Sequence, residues 1–566
     1  MTYYYLMNRE LILFRARRAL LLIGPTVSLI VSPWTNYDPI SVVKVLALST
    51  ITFFVASLVF TIRQDLFKKI SKTLPTLATL FVLCMLSTMA FSGAPLNQQI
   101  WGTFGRNTGF VTYISLLLVC LFTALLVNRE FLRNLCWSLI YTSVAATFYA
   151  LIQLMGRDPI KWSEMRPFAT FGNINFSSAF FGLAALVCVI TALASKIESF
   201  KRALLIFLAL MQMWIVSTTS SIQGIMIFGA GLTIAFGIFL IKLNRRIRLL
   251  FWPYLLLSIG GLYLVIQGLL NNGILAKILY QPSVIFRGDY MHAGWEMTLK
   301  FPWFGVGLDS YGDWYRNLRG LISTTRDNPD RIANTAHNIF LDISSTGGLP
   351  LITIYLGIFI LAFVSSLKYL IKSPKLDPTF LAIFCAWIAY QIQALISINQ
   401  IAVGIWGWLF TGALIGYSNK ELLNSDFETN PKLSKSQKKS FVGKALPIRI
   451  AFQTFAFTSI GFFIAVIPVN ADSKFRAAYQ GGQLEKLIEV ENLPGITLFH
   501  RELAADRLRT SGLNDQAQNS LREILDQYPR SYYAWRVIAF TDVLPEKKAE
   551  ALVRIRELDP YNPENR

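Results

Sequence analysis

Residues 285–349 read IFRGDYMHAGWEMTLKFPWFGVGLDSYGDWYRNLRGLISTTRDNPDRIANTAHNIFLDISSTGGL, a long polar stretch rich in aromatic residues and arginines. On either side of it, the chain consists mostly of apolar runs joined by short connections. Binding and catalytic residues concentrate on long connecting segments that a rigid scaffold positions. We therefore expect the apolar runs to form a scaffold in the membrane that holds this segment, a loop at 270–347, at the membrane surface.

The composition indicates a polytopic membrane protein. Of the 566 residues, 54% are hydrophobic and only 15% are charged, and the mean hydropathy is +0.46. A soluble protein of this length would carry far more charge. The formal net charge of +20 comes from Lys and Arg clusters that lie between apolar runs, as in cytoplasmic loops. This placement argues against nucleic acid as a partner.

The apolar runs predict an all-α fold with about 13 transmembrane helices. Each run has roughly the 17 to 25 residues that a bilayer requires. Assigning the Lys- and Arg-rich connections to the cytoplasmic side places the N-terminus inside and the 270–347 loop outside. The predicted spans are about 19–33, 42–62, 75–92, 109–127, 135–154, 175–194, 203–218, 224–241, 249–269, 348–367, 379–397, 401–417 and 450–468.

The chain divides into a membrane domain and a smaller helical domain. Residues 1–418 form the polytopic domain, 419–449 a flexible basic cytoplasmic linker, and 450–468 the last span. Residues 470–566 are predicted to be an extracytoplasmic helical domain. Their Leu, Ala and Gly spacing resembles tetratricopeptide (TPR) helical hairpins, and a generic helical bundle is the alternative. Either structure suits the binding of a protein partner better than catalysis.

His337 is the candidate base. Histidine is scarce in this chain, with His292, His337 and His500 as its three examples, and His337 lies where the large loop re-enters the membrane. An imidazole with a pKa of about 6.5 is mostly neutral at pH 7 and accepts a proton. Such a base would deprotonate an acceptor hydroxyl that faces a lipid-linked donor. The alternative is a capping or interfacial histidine without a catalytic role.

Arg287 is the candidate anion-binding residue. Guanidinium groups bind phosphate oxygens through paired hydrogen bonds, and Arg287 lies among apolar residues rather than in the charged middle of the loop. Arg166, at the mouth of another span, is a second candidate for the same anion. The outer loops lack HExxH, CxxC and paired acidic metal motifs. We expect chemistry without a metal or another cofactor.

Together these features resemble the O-antigen ligase and polymerase superfamily, which also includes bacterial protein O-oligosaccharyltransferases. The resemblance covers about residues 75–417. Its residues are FGNIN at 171–175, Arg287, Trp295, Pro302, Gly305, Gly307, the AHN triplet at 336–338, Gly347 and Gly348.

The resemblance implies an integral-membrane glycosyltransferase with a GT-C-like fold. Such enzymes take a glycan from undecaprenyl pyrophosphate on the outer face of the bacterial inner membrane and pass it to an acceptor hydroxyl. It implies catalytic roles for His337 and Arg287, the latter through the pyrophosphate. It also implies substrate contacts from Arg166, Asn338 and Trp295.

One position departs from the family pattern. Members commonly carry a Ser-Arg-Gly turn between two middle spans, whereas residues 217–224 read STTSSIQG here, with Gln223 before the glycine. A glutamine hydrogen-bonds a phosphate but does not offset its charge. We keep Gln223 as a candidate substrate-binding residue.

Several functions stay open at this point. The acceptor is a glycolipid, a cell-wall component or a protein, and the reaction is a ligation, a polymerisation of lipid-linked repeats or a protein O-glycosylation. The alternative outside enzymology is a transporter or an envelope scaffold. Few ionisable residues lie within the predicted spans, which argues against an ion-coupled transporter.

Overall fold

The computed structural model describes residues 2–67, 71–162, 166–194, 197–326, 328–422, 441, 444–541 and 544–565. Within these ranges the chain is helical, without a strand. Ten of the described helices are long and apolar enough to cross a membrane. The prediction of an all-α polytopic membrane protein is confirmed.

Every predicted span falls on a helix. Two of these helices, Phe110–Leu126 and Pro378–Ala394, are shorter than the ten, and the first helix carries its apolar residues in its second half. Up to the middle of the chain the helices are α1 (Thr2–Leu29), α2 (Ser41–Thr61), α3 (Arg63–Phe67), α4 (Thr73–Phe91), α5 (Leu96–Trp101), α6 (Phe110–Leu126), α7 (Arg129–Leu154), α8 (Ile174–Ala192), α9 (Ser199–Thr218), α10 (Gln223–Lys242), α11 (Arg245–Arg248) and α12 (Phe251–Leu269).

The polar insert is itself folded into helices, and it leads into the last membrane helices. They are α13 (Ala276–Leu279), α14 (Pro282–Lys300), α15 (Tyr311–Leu318), α16 (Leu321–Thr325), α17 (Ile339–Lys372), α18 (Pro378–Ala394) and α19 (Ile401–Leu422). The helices that follow the linker are α20 (Ile448–Gln480), α21 (Leu484–Val490), α22 (Leu498–Thr510), α23 (Asn514–Gln527), α24 (Tyr532–Thr541) and α25 (Pro545–Leu558), with a 3₁₀ turn at Pro563–Asn565.

The membrane bundle is organised around α19, whose apolar window is wholly buried. It packs against α1, α6, α17 and α18. A side chain at Gly412 would collide with the carbonyl of Cys120, so the missing side chain lets α19 and α6 approach closely. At the other extreme, α12 contacts only α10 and the short α13 to any extent among the described helices and leaves its apolar side chains exposed, as a helix at the lipid boundary does.

The structure differs from the predicted element boundaries in two places. Helix α17 begins at Ile339 rather than near 348, because Gly348 (φ 77°) introduces a kink that joins a short polar helix to the span. Helix α20 continues past 468 to Gln480, so the predicted domain boundary near 470 falls within one helix. Of the predicted linker, residues 423–440 and 442–443 lie outside the described residues.

The C-terminal helices pack on the end of the bundle that carries the insert. The buried carboxylate of Asp472 in α20 accepts hydrogen bonds from the backbone N–H groups of Tyr37 and Asp38, at 2.7 and 3.1 Å. Asn97 donates to the carbonyl of Ile496 (2.6 Å) and accepts from the N–H of Gly495 (2.9 Å). The C-terminal helices therefore pack on the connections of the membrane domain at the same end as the insert.

Candidate functional site

A cleft of about 400 Å³ opens at this end of the bundle. Four separate parts of the chain form it: the α5–α6 turn, helix α14, the segment before α17 and the α18–α19 turn. The lining residues are Phe104, Gly105, Arg106, Tyr290, Ile332, Ala333, Asn334, Thr335, His337 and Ile398. Both the insert and the turns of the membrane bundle supply lining residues, so the cleft forms only when these two parts pack together.

The turn that carries His337 is held by hydrogen bonds to Asp342. Thr335 Oγ1 donates to one carboxylate oxygen of Asp342 (2.6 Å), and the N–H of Ala336 donates to the other (2.7 Å). The N–H of His337 in turn donates to Thr335 Oγ1 at 3.1 Å. His337 itself has φ 52°, a left-handed conformation that few non-glycine residues adopt. The surrounding bonds therefore hold the backbone of His337 in a conformation that the local sequence alone does not favour.

Arg106 joins this turn to the membrane bundle. Its guanidinium lies 3.8 Å from the carboxylate of Asp342 and 3.7 Å from that of Asp309, and it donates to the carbonyl of Asn334. Asp309 also accepts from the N–H groups of Thr103 (2.8 Å) and Thr108 (3.2 Å). Because two carboxylates neutralise Arg106, its main effect is to hold the cleft wall.

A turn at residues 301–307 locks the insert against the kink of α17. The backbone N–H of Val306 donates to the carbonyl of Ser345 (2.9 Å), that of Gly307 to the carbonyl of Thr346 (3.1 Å), and that of Leu349 to the carbonyl of Pro302 (2.7 Å).

The close approach of this turn to α17 requires glycine at position 348. A side chain there would collide with the Trp303 carbonyl, and the φ of Gly348 is one that L-residues avoid. The Pro and Gly residues of the family resemblance thus fix α14, which carries Arg287, relative to α17, which follows His337.

The electrostatic surroundings of His337 keep its imidazole neutral. Burial, followed by the cations of Arg287 and Arg106, lowers its pKa to about 3. Desolvation and a nearby like charge both disfavour the imidazolium form. A neutral imidazole has a free lone pair over the whole physiological pH range. A general base is most efficient when its pKa lies near the operating pH, so His337 becomes an effective base only when a bound anion offsets the two cations and raises its pKa.

Arg287 lies on α14 one helical turn before Tyr290. Its side chain is half-buried, and burial lowers the pKa of its guanidinium. Among the described residues it has no ion-pair or hydrogen-bond partner. It does not line the cleft directly, but it is close enough to His337 to lower the pKa of that residue. A partly desolvated cation without a counter-ion is suited to bind an anion.

Tyr290 completes the cleft wall beside the histidine. Its ring centroid lies 5.1 Å from that of His337, with the two rings tilted by 33°. The Tyr290 ring also packs edge-on against Tyr315 of α15, with a centroid distance of 5.7 Å. This aromatic contact limits the rotation of the imidazole and leaves an apolar surface in the cleft.

The other predicted substrate residues lie apart from the cleft or already have a structural role. Asn338 caps α17, since its side-chain oxygen accepts from the N–H groups of Phe340 (3.0 Å) and Leu341 (3.1 Å). Gln223 is 1% exposed at the start of α10, and neither polar atom of its amide has a partner within the described part of the chain. Trp295 is exposed on α14, and Arg166 is exposed before α8. None of these four lines the cleft as described.

Arg106, Tyr290 and Asp342 were not predicted as site residues. Asp342 gave a detectable signal, because a carboxylate five residues after His337 in a largely apolar helix is costly without a partner. Arg106 and Tyr290 had no distinguishing local pattern, since their roles depend on contacts with distant segments.

Comparison with known proteins shows a similarity to one family over part of the chain. A family model described as O-antigen ligase matches residues 203–356, which include Gln223, Arg287, Trp295, His337 and Asn338. A search of curated proteins found no match. The matched segment contains α14, the kink of α17 and the His337 turn, and the predicted resemblance is confirmed. Residues 203–356 are thus similar to the O-antigen ligase family, in a chain whose apolar helices are those of a multi-pass membrane protein.

Proposed function

We propose that this protein is a membrane glycosyltransferase of the ligase type. It would transfer a glycan from an undecaprenyl-(pyro)phosphate carrier to an acceptor hydroxyl on the outer face of the bacterial plasma membrane. The N-terminus would be cytoplasmic, and the cleft and the C-terminal helices extracytoplasmic. The proposal depends chiefly on one observation: at a cleft built in part from the insert, neither the His337 ring nor the partly buried Arg287 guanidinium has a hydrogen-bond or ion-pair partner among the described residues.

In the proposed reaction, Arg287 binds the pyrophosphate and His337 accepts the proton of the acceptor hydroxyl. The hydroxyl oxygen then forms a bond to the anomeric carbon, while the bond from that carbon to the pyrophosphate oxygen breaks. The electron pair leaves with the pyrophosphate, where the Arg287 cation stabilises the growing charge more strongly than in the bound donor. No metal enters this scheme. Arg166 and Gln223 stay predictions as further contacts for the donor.

The purified protein tests this proposal when it is supplied with a labelled undecaprenyl-pyrophosphate glycan and a chelator. Label that moves to a separate glycolipid, wall fragment or protein supports a ligase or a protein O-oligosaccharyltransferase. A ladder of longer glycans on the carrier supports a polymerase instead. Uptake of substrate into proteoliposomes without any glycan transfer would support the transporter alternative and contradict the proposal.

A further inference from the structure

The strongest unassigned feature is a buried ion pair between the insert and the C-terminal helices. Arg319, at the end of α15, is 1% exposed, and Asp559, after α25, is fully buried. Arg319 Nη2 lies 2.7 and 2.8 Å from the two carboxylate oxygens of Asp559, and its Nε lies 3.2 Å away. Arg316 adds a further bond to the same carboxylate at 2.9 Å.

The pair reaches the cleft through the backbone before His337. Besides binding Asp559, Arg319 donates to the carbonyls of Pro329 (2.6 Å) and Arg331 (3.2 Å). The carboxylate of Asp330, between those residues, accepts from Arg536 of α24 at 2.8 Å. The next residues along the chain, 332–335 and 337, line the cleft.

The same segment also contacts the helix that carries Arg287. The guanidinium of Arg331 stacks over the ring of Phe286, 3.7 Å from its centroid, and Phe286 immediately precedes Arg287. The segment 328–331 therefore lies between the C-terminal helices and both proposed site residues.

We propose that the C-terminal helices are an integral part of the cleft, and that Asp559 is a positioning residue that holds segment 328–337. This inference rests on the proposed function, because the position of the segment affects transfer only if His337 and Arg287 act on a substrate. Buried ion pairs often add little net stability compared with apolar residues but specify one geometry. Here the ion pair would specify the path of the backbone at 328–337, which leads to His337.

The test compares four variants of the full-length protein: Asp559→Asn, Arg319→Gln, the double variant with both changes, and Glu557→Gln as a control. Glu557 lies at the end of α25 and forms an exposed pair with Arg554, so the control removes one carboxylate charge two residues before Asp559. Three quantities are measured: the rate of tryptic cleavage after the exposed Arg326, the melting temperature, and kcat and KM for transfer from a labelled undecaprenyl-pyrophosphate glycan.

Each single variant should speed cleavage after Arg326 and lower kcat by about tenfold or more, with a smaller change in KM, since small displacements of a catalytic group are costly. The double variant should regain much of the melting temperature, because both charges of the buried Arg319–Asp559 pair are removed and Arg316 keeps its ion pair with Asp330, while its kcat stays low. The control should match the wild type in all three measurements.

A double variant that recovers both melting temperature and kcat would overturn the proposal, because the pair would then contribute stability alone. Unchanged cleavage in Asp559→Asn would overturn it as well, since the segment would not depend on the pair. A wild-type protein that transfers no glycan would instead contradict the proposed function, whatever the cleavage rates show.

Discussion

Two histidines of this chain lie in contrasting surroundings. His500 is buried in α22 with a partner on each ring nitrogen: Nδ1 lies 2.9 Å from Thr497 Oγ1, and Nε2 lies 3.1 Å from Asp472 Oδ1. His337 forms no ring hydrogen bond within the described ranges, and the charged groups that shift its pKa are the cations of Arg287 and Arg106. His500 is fully satisfied by the fold, whereas His337 keeps its hydrogen-bonding capacity available.

We propose that this difference, more than burial, distinguishes the structural role of His500 from the catalytic role proposed for His337. A buried polar group without partners is costly, so folds keep such groups mainly where a ligand or a reaction uses them. The arginines of the insert follow the same division, since Arg319 has a carboxylate and two carbonyls as partners while Arg287 has none among the described residues. Substitutions of His337 and Arg287, each with a matched control residue that has partners or lies outside the cleft, test whether these two side chains act in transfer.

The largest effect is expected for His337→Ala. Loss of the proton acceptor should lower kcat by about 10²- to 10⁴-fold, the usual contribution of a general base. Transfer from the labelled donor measures this, with the melting temperature as a check on folding.

His292→Ala is the matched control, because His292 is an exposed histidine on the neighbouring α14. If kcat fell equally in the two variants, or if His337→Ala kept the wild-type rate, His337 would not be the proton acceptor.

Arg287→Gln should have the next largest effect. Without the cation, the charge of the departing pyrophosphate is stabilised less, and kcat should fall by about 10²- to 10³-fold. Arg326→Gln serves as the control, because Arg326 lies in the same insert but pairs with Asp289 at 3.5 Å. If the Arg326 variant lost as much activity as the Arg287 variant, the unpaired state of Arg287 would have no special meaning.

The pH dependence sharpens the comparison further. In the free enzyme the pKa of His337 is about 3, so kcat/KM should show no loss from its protonation between pH 7 and about pH 4. Arg287 is one of the cations that lower this pKa, so Arg287→Gln should raise it. The acidic limb of kcat/KM should then move to higher pH.

A bound pyrophosphate offsets the same cations, so the acidic limb of wild-type kcat should lie at higher pH than that of kcat/KM. Superimposable limbs in the wild type and Arg287→Gln would show that the two side chains do not interact during the reaction.

The smallest effect on transfer is expected for His500→Ala. The substitution leaves the buried carboxylate of Asp472 without one partner, which should lower the free energy of unfolding by about 1–3 kcal/mol. Thermal unfolding measures this, and transfer per folded molecule should fall far less than in His337→Ala. A loss of transfer as large as that of His337→Ala, with unchanged stability, would reverse the roles assigned to the two residues.

The sequence predicted the spans well because backbone groups in lipid must be satisfied within the segment, so a sufficiently long apolar run has to be helical. His337 and Arg287 stood out through their local motifs. The start of α17 was misplaced, because the positive φ of Gly348 joins two helices that composition alone does not connect. The partners Arg106, Asp309 and Asp342 come from three distant segments, and a single sequence contains no record of such contacts.

The bond between Arg319 and Asp559 also bears on biosynthesis. The two residues are 240 positions apart, and α17, α18, α19 and α20 lie between them. When the insert has just been translated, the ribosome still has to synthesise these helices before Arg319 can pair with Asp559. During that interval the wall before His337 lacks its anchor, so the nascent chain would pass through the membrane before its cleft is complete.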